Sequence, residues 1–406
     1  LLKKIHIENY KSIKNLTLEL GRVNVFIGEN GAGKSNILEA IALAGAAQAG
    51  KLDNEFLASR GIRVTEPQFM RSAFEVDEVT KPISIRVVGD AGEASYELSN
   101  DNQPYSTWTE STGTLKLSAD HFFKTLSEIS KGGNAKVTRK LITQILEGMN
   151  TSAHHEAQAS RKGSKRSVSF SLQLDDDDKS IFVLRPEIDG IANFIVYSPE
   201  NSSLRVLERE GQIEPLGING EGLLKLLTVM SYDDDSSAIE AVKESLKLFS
   251  WFEDFEIPKE NAKGRMKITD GYLDDSCKSF DQRSANEGFL FAAFYFALFA
   301  SKLTPNFFAV DNIDASLNPK LCEVMMKRLT KLAKDNDKQA ILTTHNPSVL
   351  DGLNLNDPEQ KLFAIHRNAR GETRATVHTE KPSTASPRRL SEMFIGGLLG
   401  GVPKVF

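Results

Sequence analysis

Residues 28–35 read Gly-Glu-Asn-Gly-Ala-Gly-Lys-Ser, the spacing G-x-x-x-x-G-K-S, and no other stretch of the chain restricts its fold as tightly. Gly28, Gly31 and Gly33 let the backbone curl so that its N–H groups point at one centre, and the positive end of a following helix adds to that field. A polyphosphate is the ligand that needs this arrangement. Lys34 then reaches its β- and γ-phosphates, and the Ser35 hydroxyl ligates Mg2+. The flanks agree: Arg22–Ile27 alternates and is β-rich, and Asn36–Ile41 has helical spacing. By average residue usage the pattern arises by chance in about one chain in a hundred of this length, so a glycine turn that merely imitates it is the poorer reading. The expectation is a nucleoside-triphosphate site built by Asn30, Gly31, Ala32, Gly33, Lys34, Ser35 and Asn36.

Composition bounds what surrounds that site. At 406 residues, 40% hydrophobic and 26% charged, the chain can bury a large core, and a net charge of −5 gives no whole-molecule attraction for nucleic acid. Cys277 and Cys322 have no metal-ligand spacing and imply no disulfide framework, which suits a reducing compartment. The start of the chain does not read as a charged-then-apolar leader, and the most apolar run, Phe289–Ala300, is about 12 residues, a buried helix rather than a bilayer span. The expected location is cytoplasmic, with no membrane partner.

Along the chain, Leu2–Ile7 and Asn15–Leu20 read as paired strands joined by a turn at Glu8–Ile13, close to where a nucleotide base lies. Ile83–Val88 and Ala94–Leu98 read as a hairpin; Arg60, Arg63 and Arg71 have no legible role. Three parts are expected: 1–118 and 167–406 as two portions of one head, and 119–166 as a helical insertion. In the insertion Lys131, Lys136, Arg139, Lys140, Arg161, Lys162, Lys165 and Arg166 outnumber the acids, which reads either as a solvated face with a basic loop or as a nucleic-acid contact. His154 and His155 are adjacent and do not share a helix face as metal ligands would. Val168–Leu174, Ser180–Leu184 and Ala192–Tyr197 alternate like strands, with a solvated acidic turn at Asp175–Asp178; Glu221–Phe252 is helical and Lys267–Thr269 begins another strand.

A second cluster of chemistry follows. Ser284-Ala285-Asn286-Glu287-Gly288 runs into the apolar helix, Asn306–Val310 is an apolar strand that delivers Asp311 to Mg2+ beside the P-loop, and Gln339–Thr344 is a buried strand ending at His345. In this order, with Asn318-Pro319 after Asp311 and Asn346-Pro347 after His345, these segments resemble the head of ABC-type ATPases. The closest branch is that of the RecF, SMC and OLD-like ATPases rather than membrane transporters, and the opening Ile5–Ile13 resembles it too.

The resemblance implies an α/β fold, an ABC ATPase head with a mixed sheet and flanking helices, and ATP with Mg2+ as ligands. It implies that two heads pair head-to-tail, as a dimer or higher oligomer, with ATP on Lys34 of one capped by Ser284, Asn286 and Gly288 of the other. Asp311 holds the metal, His345 senses the γ-phosphate, and Gln68 takes the Q-loop place by position alone. Two departures matter. Ala285-Asn286 replaces the usual glycines, and Asn312 stands where the family usually has the glutamate that activates water. An amide holds water but does not accept its proton, so either hydrolysis is slow or Asp314 substitutes. After His345 come a hairpin at Leu362–His378, a Ser/Pro-rich link and Gly396–Pro403; the Toprim nuclease of OLD-like proteins needs more chain and clustered carboxylates. The leading expectation is the ATPase subunit of a bacterial antiphage complex, resembling those of Septu and PARIS, that senses infection or DNA and controls a separate nuclease or toxin. A RecF-like repair ATPase acting directly on DNA, and an ATP-locked scaffold, are the alternatives.

Overall fold

The computed structural model describes residues 1–90, 92–112, 115–118, 168–174, 180–186, 188, 190–207, 212–258, 265–380 and 388–401. The basic insertion expected at 119–166, with His154 and His155, and the acidic run Asp175–Asp178 lie outside the described residues. The strands on either side of that insertion, Leu115–Ser118 and Val168–Leu174, do not pair with each other but flank Ser180–Pro186, and both pair with it in a three-stranded antiparallel sheet.

Six strands form the central sheet, in the order Val196–Tyr197, Phe307–Val310, Gln339–Thr343, Val23–Ile27, Gln360–Arg367 and Thr373–His378. The first five are parallel and the last is antiparallel. The middle three are buried at every position, as strands covered on both faces must be. Their period of two splits the core: Val23, Val25 and Ile27 face one cluster and Phe26 the other, where its ring meets Phe363 edge-on at 5.2 Å.

One face carries the helix Lys34–Gln48 and a five-stranded antiparallel sheet, Ile13–Glu19, Leu2–Tyr10, Ile83–Gly89, Gly92–Ser99 and Thr109–Thr112. The other face carries the helices Glu287–Ala300 and Pro319–Asp335. Thirteen of the fourteen residues of Glu287–Ala300 are buried, as expected of a helix apolar all round. Among the described residues, no helix is long and apolar enough to cross a membrane.

Some expected boundaries move. The first strand runs on through Tyr10, so the turn narrows to Lys11-Ser12, with Asn9 and Lys11 at positive φ. The expected strand Ala192–Tyr197 shrinks to Val196–Tyr197 because Ile191 and Phe194 close tight turns before it. Glu221–Phe252 is two helices, Leu223–Ser231 and Ser237–Leu246, broken where Asp233 and Asp235 accept the N–H groups two residues on; Phe252 opens a strand.

Candidate functional site

Three loops leave the C-terminal ends of neighbouring parallel strands, the place where ligands of open α/β sheets collect. The first is the glycine loop after Val23–Ile27. Gly28, Gly31 and Gly33 all have positive φ, and a Cβ on Gly28 would lie 2.1 Å from the Ile365 carbonyl, so only glycine fits there. The helix that follows begins at Lys34 with no side-chain cap and no acid in its first turn, which leaves its N–H groups directed at the loop. Asn30 and Gly31 are exposed, Ala32 and Gly33 buried. Lys34 is buried, and its Nζ donates to the Gly28 and Glu29 carbonyls at 2.8 and 3.1 Å. Burial lowers its pKa, opposed by the charges of Asp311, Glu29 and Asp314.

The second loop starts at Asp311, whose Oδ2 accepts the Ser35 hydroxyl at 3.0 Å and whose Oδ1 accepts the Thr343 hydroxyl. A serine hydroxyl beside one carboxylate is the hard-oxygen pair that suits a Mg2+ also bound by phosphates. Asn312 is exposed, at φ 57°, and its N–H donates to Thr343 Oγ1 at 2.9 Å. Asp314 is half-buried and accepts the Thr344 hydroxyl at 2.7 Å. The third loop carries His345, exposed at the rim. Partial desolvation and the Lys34 ammonium hold its imidazole below its ordinary pKa, against the pull of Asp314 and Asp311. Lys34, Ser35, Asp311, Asp314 and His345 are thus gathered in one place.

The remaining sequence-derived residues stand apart from this group. Ser284 and Asn286 are exposed at the start of the apolar helix, which Asn286 caps by accepting the Phe289 N–H at 2.8 Å. Gly288 is buried: a Cβ there would lie 2.9 Å from the Ser316 carbonyl of the same chain, so its missing side chain serves close packing. Gln68 lies in the short helix Pro67–Met70 and donates to Glu66; it lines a cavity with Pro104, Tyr105 and Trp108, not the glycine loop.

Several residues that hold the loop had no signal in the sequence. Ser12 Oγ lies 2.7 Å from Thr373 Oγ1, which donates to the Ala32 carbonyl at 2.9 Å, and Asn36 Nδ2 donates to Ser12 Oγ at 2.7 Å. A Cβ on Gly33 would strike Thr373 Oγ1 at 2.2 Å. Arg367 Nε donates to the Gly31 carbonyl at 2.8 Å. On the glycine-loop helix, the buried carboxylate of Glu39 takes Tyr10, Lys11 and Arg63, which gives Arg63 a role. The glycine-rich C-terminal stretch also arrives here: Leu399 is buried in the core, and a Cβ on Gly401 would sit 3.3 Å from Gly28 Cα.

Comparison with known proteins agrees with this geometry. Residues 23–351 match the family described as "AAA domain, putative AbiEii toxin, Type IV TA system". The chain is 43% identical over 67 residues to an uncharacterized protein of Methanocaldococcus jannaschii, across 15% of this chain and 31% of that one. It is 32% identical over 96 residues to the DNA replication and repair protein RecF of Clostridium perfringens, across 23% of this chain and 26% of that one. The chain therefore spans a third or less of these curated relatives. The SMC head domain of Thermotoga maritima superposes with a TM-score of 0.41 at 13% identity, across 92% of this chain and 98% of that one. The family match covers most of the chain and contains the glycine loop, Asp311 and His345: the chain belongs to this AAA family and has an α/β P-loop ATPase head.

Proposed function

We propose that the protein binds MgATP on its glycine loop, hydrolyses it slowly, and uses the bound nucleotide to pair two heads. The observation that carries this reading is the meeting of Ser35 and Asp311 at 3.0 Å beside a buried Lys34. Asn30–Asn36 would hold the phosphates, and Ser35 with Asp311 would hold Mg2+, which would supply positive charge against that of the phosphates. Asn312 positions the attacking water without taking its proton, which makes turnover slow. His345, at the end of its strand near Lys34, senses the γ-phosphate. Ser284 and Asn286, exposed at the rim of the apolar helix, reach the nucleotide of a second copy; Gly288 sets the helix end that presents them.

At the cellular level the protein is the cytoplasmic ATPase subunit of a defence complex that controls a separate effector, a nuclease or toxin. The toxin–antitoxin description of its family supports this reading. Identity to RecF over 96 residues favours a second one, direct action on DNA through the basic insertion. Equilibrium ATP binding and steady-state hydrolysis, with and without duplex DNA, separate the two. The defence reading expects hydrolysis that DNA alone leaves unchanged and that a co-purifying effector alters. Under the DNA reading, neutralising Arg161, Lys162, Lys165 and Arg166 weakens DNA binding and flattens its salt dependence. Wild type that binds no ATP, or Lys34→Ala that binds it undiminished, contradicts both.

A further inference from the structure

The loop from Asp311 to Leu317 touches two elements, the start of the apolar helix and the His345 loop. At one end it meets the apolar helix: Ser316 donates its hydroxyl to Glu287, and Gly288 packs under the Ser316 carbonyl. At the other it meets the His345 loop, where Thr344 Oγ1 donates to Asp314 Oδ1 at 2.7 Å. Thr344 is fully buried, and its oxygen also accepts the Asn346 N–H at 3.0 Å. A hydroxyl has one hydrogen, and its other acceptor in reach, the Asn346 carbonyl, is at 3.4 Å; the hydrogen is therefore committed to Asp314. Burial, with the Asp314 charge added to it, pushes the Tyr295 phenol well above its ordinary pKa and the Cys322 thiol up to about 12. The Tyr295 hydroxyl, on the apolar helix, is buried with no hydrogen-bond partner among the described residues, and Asn346 Nδ2 contacts Cys322 Sγ at 3.6 Å.

We infer that Asp314 is a positioning residue held by Thr344, which ties the His345 loop of each head to the helix carrying Ser284 and Asn286, and that it does not take the proton of the attacking water. The inference rests on the ATPase reading above.

The two roles make opposite demands on Asp314. A general base needs a carboxylate; a positioning residue needs only an acceptor for the Thr344 hydroxyl, which asparagine also provides. ATP affinity and single-turnover hydrolysis are measured on the full chain for Thr344→Val, Thr344→Ser, Asp314→Asn and Asp314→Ala, with thermal melts. The inference expects Thr344→Val and Asp314→Ala to lose about tenfold in turnover with affinity within about threefold, a loss in the chemical step rather than in binding. It expects Thr344→Ser to restore turnover, Asp314→Asn to lose no more than about threefold, and the Thr344→Val/Asp314→Ala double variant to be no worse than either single one. Asp314→Asn as inactive as Asp314→Ala overturns it and makes Asp314 the base. Thr344→Val with wild-type turnover overturns it as well. If Thr344→Val fails to fold, the Asn-to-Ala contrast at position 314 still decides. An inactive wild type is the distinct failure of the ATPase reading.

Discussion

Asn312 occupies the left-handed region at φ 57°, a conformation that asparagine tolerates and most side chains do not. Introducing glutamate there costs about 1–2 kcal/mol of backbone strain. A well-placed general base is worth about 10²–10⁴-fold in rate, about 3–5 kcal/mol, so the gain exceeds the strain. Asn312→Glu is therefore expected to raise steady-state turnover by about tenfold or more and to shorten the life of the ATP-bound state. Unchanged turnover would mean that water is not activated from this position. His345 allows a second residue-scale check. Its pKa lies below the ordinary value of about 6.5, so it contributes stability that is present above that pH and lost as pH falls through the lowered folded value. An NMR titration should show its midpoint below about 6.5, and Lys34→Ala, which removes the neighbouring ammonium, should move it up. A midpoint indifferent to Lys34 would place the histidine away from the glycine loop.

At the scale of elements, the glycine loop is held from three directions: by Ser12 and Thr373, by the Ile365 carbonyl against Gly28, and by Gly401 below the same glycine. Gly401 has φ 75°, so a side chain there is strained as well as crowded. Gly401→Val should weaken ATP affinity by roughly tenfold while the melt shifts little, because Gly401 bears on the loop more than on the core. Equal affinity would mean that the glycine stretch does not bear on the loop. These contacts also show what was legible. The glycine loop, the apolar helix and the strands before Asp311 and His345 follow from local spacing, because burial on both faces writes a continuous apolar run. Ser12 meeting Thr373, or Gly401 meeting Gly28, pairs residues from opposite ends of the chain, and no local pattern records it. Thr343 and Thr344 stood in plain view beside His345, but their hydroxyls acquire meaning only when the sheet sets that strand next to the one ending at Asp311. Gly288 resembled a ligand-facing glycine, and packing beneath Ser316 gives it another reason to be there.

For the whole molecule, the proposed site residues fall into two groups. Lys34, Ser35, Asp311 and His345 gather on one cluster of strand ends, while Ser284 and Asn286 stand exposed on a different element. On the proposed reading a single chain offers a nucleotide seat and a separate cap, which are of use together only if two copies pair head-to-tail, each completing the other's site. Mixing two defective proteins tests this most directly. Lys34→Ala spoils the seat and leaves the cap; Ser284→Arg spoils the cap and leaves the seat. Each alone should be inactive in ATP hydrolysis, and an equal mixture should recover activity, because half of the mixed dimers' composite sites combine an intact seat with an intact cap. Two inactive variants whose mixture stays inactive beside an active wild type, or Ser284→Arg fully active alone, would contradict the head-to-tail account.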